Sequence, residues 1–271
     1  MNTRSIVERT LTQLLGALEQ VQSADTAVRS GGWLQGFDPR VKLVGVGMLI
    51  VAVVAAQRIG VIAAILAAGT ALALLSNVSW RRLATAWFGA LLFTGAIALP
   101  AIFLVPGRTL ATLPGLDWAI SERGLHSALL LIARSETTLT LCLLLVFTTP
   151  WSHLLRALRT LRVPVVVVVL AAMTYRYILL LLETASDMFQ ARRSRIVGRM
   201  EPHAQRHLMA ASVGVLLDKS LQLSGDVHLA MQARGYRGEV YLLDDFQMRM
   251  RDWAGLAGFA LAGALALAGG R

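Results

Sequence analysis

Between Val41 and Thr149 the chain carries four apolar stretches that leave it one suitable solvent, lipid. A helix needs about 20 mostly apolar residues to cross a hydrocarbon layer about 30 Å thick. Val41 to Ala56, Ile59 to Leu75, Leu83 to Val105 and Leu125 to Thr149 meet or approach that length. Trp253 to Ala268 is a fifth candidate, rich in the Gly and Ala that let helices pack closely. Charged residues make up only 15% of the 271 positions, where a soluble domain carries about 25%. The expected fold class is therefore an all-α integral membrane protein with about five spans.

The basic residues set an orientation. A formal net charge of +10 can mark a nucleic-acid binder, but here the arginines bracket apolar spans, the pattern of cytoplasmic loops. No nucleic-acid partner is expected. Arg40 and Lys42 open the first span, Arg81 and Arg82 join the second to the third, and Arg156, Arg159 and Arg162 follow the fourth. All lie on one side if the N-terminus is cytoplasmic, which leaves the loop Pro106 to Gly124 outside. Cys142, the single cysteine, sits in an apolar run, which excludes an internal disulfide and a thiol metal cluster. Ile6 to Val21 is broken by Glu8, Arg9 and Glu19 and does not read as a secretory signal. Val7, Leu11, Leu14, Leu15, Leu18 and Val21 share one helical face, as in an interfacial helix; a solvent-exposed arm is the alternative.

Val163 to Leu182 has the hydropathy of a span but is basic at both ends, with Arg156 to Arg162 before it and Arg192, Arg193, Arg195 and Arg199 after. Arg176 lies inside it, where a mid-bilayer charge costs about 2.5–3.5 kcal/mol on insertion scales. A re-entrant or steeply tilted helix with both ends cytoplasmic is expected; an ordinary span with Arg176 held by a neighbouring helix is the alternative. From Thr184 to Asp252 ten Lys/Arg and eight Asp/Glu mark a solvated part. Leu208, Val215, Leu216, Leu223, Val227 and Met231 keep a helical spacing there. Glu201-Pro202 suits a helix start and Gly235 a stop, giving a helical hairpin beneath the membrane. The organisation is thus an interfacial arm (1–36), four spans (37–149), coupling helices (150–252) and a last span (253–271).

Two short basic motifs lie near helix ends, Ala191-Arg192-Arg193-Ser194-Arg195 and Ala233-Arg234-Gly235. Small neighbours let a helix press into a groove while a guanidinium pairs bidentately with carboxylates there. Either motif by itself reads equally as a solvated or headgroup-facing arginine.

The order of features along residues 36 to 270 resembles the transmembrane coupling (T) subunit of energy-coupling factor transporters, the CbiQ/EcfT family. The residues that carry the likeness are Asp38-Pro39-Arg40-Val41-Lys42-Leu43, Thr148-Thr149-Pro150, Leu154-Leu155-Arg156-Ala157-Leu158-Arg159 and Val163-Pro164. Tyr175-Arg176-Tyr177, Leu182-Glu183, Ala191-Arg192 and the more specific string Ala230-Met231-Gln232-Ala233-Arg234-Gly235-Tyr236 continue it. The first motif departs from the family's clean Ala-Arg-Ser or Ala-Arg-Gly, which leaves open which of Arg192, Arg193 and Arg195 inserts. The resemblance implies a non-enzymatic subunit in a bacterial or archaeal inner membrane, N-terminus cytoplasmic. It would join two copies of a cytoplasmic ABC ATPase to a substrate-binding membrane (S) subunit, the arginine motifs docking into the ATPases. ATP and Mg would be bound by the ATPases, and this chain would hold no cofactor. The long N-terminal arm is more like the cobalt/nickel branch than the vitamin branch.

Other chemistries are weaker. His203 and His207, four apart on a helix, have the spacing of two metal ligands but only Glu201 nearby as a third. No GxxxxGK[ST] phosphate loop occurs. A membrane lipid phosphotransferase would need aspartates on successive helix turns to bind two divalent ions, and Asp226, Asp244 and Asp245 do not make that set. A self-sufficient carrier would need charged groups at the midplane, for which Arg134 with Glu136 is the only cluster; it reads as a buried pair or a partner contact.

Overall fold

A computed structural model describes residues 34–76, 78–105, 108–112, 119–195, 201–236 and 250–270, together with position 16. The N-terminal helical reading lies outside these residues, as does most of the Pro106 to Gly124 loop. Among the described residues there are eight α-helices: α1 (Pro39–Ala55), α2 (Ile59–Leu75), α3 (Trp80–Leu104), α4 (Glu122–Thr148), α5 (Trp151–Thr160), α6 (Val165–Arg195), α7 (Pro202–Ala233) and α8 (Met250–Gly269). A short antiparallel hairpin, β1 (Thr109–Thr112) with β2 (Ala119–Ser121), joins α3 to α4. The chain is an all-α membrane protein, as its hydropathy requires. Part of α3 (Trp80–Ile102), together with α4, α6 and α8, is long and apolar enough to cross a bilayer, and α2 is a shorter apolar helix. At 17 residues each, α1 and α2 are about 26 Å long, the short end of the spanning range.

The chain divides into two compact units, one of residues 28–157 with 246–271 and one built around 158–245. In the first, α4 is central and packs on α1, α2 and α3, while α8 lies against α1. The core joins Val46, Leu49, Val53 and Ala56 of and after α1 to Ile62 and Ile65 of α2, Leu141 of α4 and Ala266 of α8. Helices α1 and α8 meet closely because Gly45 has no side chain. A Cβ there would stand 2.5 Å from Phe259 Cδ2.

Backbone bonds fix how these helices run. The Asp38 N–H donates to Asp252 Oδ1 (2.9 Å) at one end and the Gln57 N–H to the Gly270 carbonyl (2.8 Å) at the other, so α1 and α8 are parallel. Lys42 Nζ donates to the Thr148 carbonyl (3.0 Å), which brings the C-terminal end of α4 to the N-terminal end of α1. The chain therefore leaves α4 and enters α8 at the same face of this unit.

In the second unit α6 is one unbroken helix of 31 residues. A re-entrant segment must turn back inside the membrane, and no break occurs between Val165 and Arg195; the continuous helix is the form that a steeply tilted helix and an ordinary span share. Helix α7 starts at Glu201-Pro202 and stops before Gly235, as the sequence indicated. The two helices touch where Phe189 and Met188 pack on Leu208 and Met209, which makes the expected hairpin.

Candidate functional site

The second arginine motif is a helix end with a defined geometry. The Gly235 N–H donates to the Gln232 carbonyl (2.9 Å) and the Tyr236 N–H to the Met231 carbonyl (3.0 Å). With Gly235 at φ +78, this is the Schellman arrangement, which needs a left-handed residue that glycine adopts without strain. Ala233, Arg234 and Gly235 are all exposed. Arg234 is the C-cap residue, so its guanidinium is carried at the negative end of the α7 dipole. The glycine of the motif thus ends the helix, and the arginine is presented at the tip.

The first motif is arranged differently. Arg192 is half-buried and turned onto α7: its Nη1 donates to Ser212 Oγ (2.9 Å) and to the Leu208 carbonyl (3.2 Å). Ser212 is buried and donates back to the Leu208 carbonyl (2.7 Å). Ala191, Arg193, Ser194 and Arg195 are exposed, and Ser194 Oγ bonds the Ala191 carbonyl (2.8 Å). Arg192 therefore holds the hairpin together, while Arg193 and Arg195 face outward in the last turn of α6.

The structure does not bring the two motifs together. From Ser212, where Arg192 is bound, to Arg234 is 22 residues of uninterrupted α7 and its cap (234 minus 212), about 33 Å at 1.5 Å per residue. Two exposed basic sites far apart on one helical hairpin can engage two separate acidic grooves, and cannot both enter one.

A third polar cluster escaped sequence reasoning. Lys42 is 2% exposed at the start of a span, bonded to the Thr148 carbonyl and electrostatically supported by Asp38 and Asp252. Asp38 also accepts from the Arg40 N–H (2.9 Å), capping α1. The Asp38 to Lys42 string is a recognisable motif, but its partner Asp252 lies 214 residues away. The only signal for it was a carboxylate at the first turn of an apolar helix.

Arg134 and Glu136 do not pair. Arg134 Nη2 donates to the Ala56 carbonyl (2.7 Å), and both Glu136 carboxylate oxygens are buried without a hydrogen-bond partner among the described residues. Two residues apart on a helix, these side chains point to different faces. His203 and His207 are exposed on α7, and among the described residues no three His, Cys, Asp or Glu gather as a metal site.

Comparison with known proteins places these features. A family model described as the cobalt transport protein CbiQ matches residues 30–242, which includes both arginine motifs and the Asp38 to Lys42 string. The uncharacterized protein MJ1571 of Methanocaldococcus jannaschii is 28% identical over 258 residues, 94% of this chain and 88% of that one. The cobalt transport protein CbiQ of Rhodobacter capsulatus is 30% identical over 154 residues, 56% of this chain and 63% of that one.

Proposed function

The chain belongs to the CbiQ cobalt transport protein family, and on that premise we propose that it is the coupling subunit of an energy-coupling factor importer for cobalt. It carries conformational change from two cytoplasmic ABC ATPases, which bind ATP and Mg, to a substrate-binding membrane subunit, and catalyses no reaction itself. The observation that carries this reading is the pair of exposed basic helix ends, Arg193 with Arg195 on α6 and Arg234 on α7, the latter about 33 Å along α7 from Ser212, where Arg192 joins the two helices. One rigid helix between two plugs converts a change in groove spacing into a rotation of the hairpin. Arg192, bound to α7, keeps α6 moving with it.

The charge pattern supports the same reading. Helix α6 is apolar enough to cross a bilayer, whereas α7, with Arg206, Asp218, Lys219 and Asp226, is not among the helices that are. Basic residues stand at both ends of the apolar part of α6, Arg156, Arg159 and Arg162 before it and Arg192, Arg193 and Arg195 after it, which favours the cytoplasm of a prokaryotic cell for both ends.

The test is co-purification of a co-expressed ATPase pair with wild type and with Arg195→Glu, Arg234→Glu and the double variant, alongside radiocobalt uptake. Breaking a buried ion pair costs about 3–5 kcal/mol, on the order of a hundredfold or more in affinity. Arg234→Glu is expected to lose the ATPase at an unchanged membrane level, and Arg234→Lys to be intermediate because it lacks the fork. Full ATPase retention and uptake by the double variant overturns the proposal.

A further inference from the structure

Within the first unit an apolar groove of about 500 Å³ runs between α1, α2, α4 and α8, with one charged residue, Arg251, on its wall. The groove has a direction. Arg251, Phe37 and Leu34 lie at the end marked by the Asp38–Asp252 bond, and Leu49, Ile65 and Ala262 lie further in. From Arg251 to Ala262 is 11 residues of α8 (262 minus 251), about 16 Å, close to half of a hydrocarbon layer about 30 Å thick. The groove is thus one leaflet deep. At its mouth the exposed Arg251 guanidinium stacks 5.5 Å above the Phe37 ring and has no carboxylate partner among the described residues.

We propose that this groove binds one anionic glycerophospholipid, its acyl chain lying along Ala254, Gly258 and Ala262 and its phosphate held by Arg251. Charge and depth select that occupant: a cation sits at headgroup level above a slot that is otherwise apolar. The chief competitor is a helix from a second copy or another subunit, which the small residues of α8 could also receive. Charge favours the lipid, whose phosphate supplies the anion that an apolar helix face lacks opposite the exposed Arg251 guanidinium. Bound in this way, the lipid would fill the space between α8 and α2 and fix the last span to the rest of the unit. The inference rests on membrane embedding alone and is independent of the ATPase-coupling proposal.

The test is native mass spectrometry of the full-length protein taken from nanodiscs of palmitoyl-oleoyl phosphatidylglycerol, palmitoyl-oleoyl phosphatidylcholine, or an equal mixture. Wild type is expected to retain one phospholipid per chain and to prefer phosphatidylglycerol by about tenfold, the worth of one charge-assisted contact. Arg251→Gln should bring the two lipids to near parity. Gly258→Trp, where a side chain meets open space, should abolish the retained adduct. Ala262→Leu, which blocks only the deep end, is the second variant should the tryptophan prevent folding, and is expected to weaken retention. Equal retention of both lipids by wild type overturns the proposal. So does an undiminished adduct in both groove variants, or a protein chain found in place of the lipid.

Discussion

Arg192 Nη1 lies 2.9 Å from Ser212 Oγ and 3.2 Å from the Leu208 carbonyl, so the arginine that opens the basic run of α6 is spent on α7. A hydrogen bond from a charged donor to a buried acceptor contributes about 1.5–3 kcal/mol. Arg192→Ala is expected to open the hairpin joint, speeding amide exchange at residues 208–212, and Ser212→Ala to do so more weakly. In the double variant the two effects should fall short of their sum. Strict additivity would show that the pair is not coupled.

Gly235 holds the left-handed position that closes α7. Gly235→Ala is expected to cost about 1–2 kcal/mol and to fray the turn that carries Arg234, and Gly235→Asn less, because asparagine tolerates that region. ATPase retention by the two variants should follow the same order, at equal membrane level. An alanine variant that retains ATPase like wild type would separate the cap from the plug.

Lys42 is enclosed by Asp38, Asp252 and the Thr148 carbonyl. Removing one member of a buried ionic set strands the others, at about 3–5 kcal/mol. Lys42→Met should lower the thermal unfolding temperature more than any single exposed-arginine variant. Lys42→Met with Asp252→Asn should recover part of the loss, because no buried carboxylate of that pair is then left uncompensated. Failure of the second change to help would place the damage in packing rather than charge.

Gly45 faces the Phe259 ring at a distance that admits no further carbon. Gly45→Ala is expected to destabilise by about 1–3 kcal/mol through overpacking between α1 and α8. Phe259→Ala in the same chain should relieve the clash and leave the smaller cost of a cavity. Thermal unfolding in one detergent compares all three, and a Gly45→Ala protein as stable as wild type would refute the close contact.

Topology is read by single-cysteine labelling in a Cys142→Ser background. An impermeant reagent applied outside is expected to reach position 108 and to miss positions 195 and 234, which are exposed and which the proposed function puts in the cytoplasm. Labelling of either arginine position from outside would place α6 across the membrane.

The apolar helices, with their starts and stops, were legible in the sequence because their causes are local, although α6 joins the helices apolar enough to cross and α1 and α2 are short for it. Hydropathy is summed over about 20 consecutive residues, and a cap such as Gly235 is decided within one turn of its own backbone. Residue identity also marked both arginine motifs, since small neighbours and guanidinium at a helix end need no distant partner to be recognised. What an individual charged side chain does was not legible. Arg134 and Glu136 read as a pair from adjacency, yet a helix turns each residue by about 100°, and the arginine reaches Ala56 instead. Sequence alone does not rank Arg192, Arg193 and Arg195, and only the packing of Phe189 on Leu208 and Met209 brings Ser212 within reach of Arg192. The union of Asp38 with Asp252 across 214 residues, and the groove that opens beside it, exist only once α1 and α8 lie parallel. Partners so far apart in the chain are chosen by which faces the helices bury together, and that choice belongs to the tertiary structure.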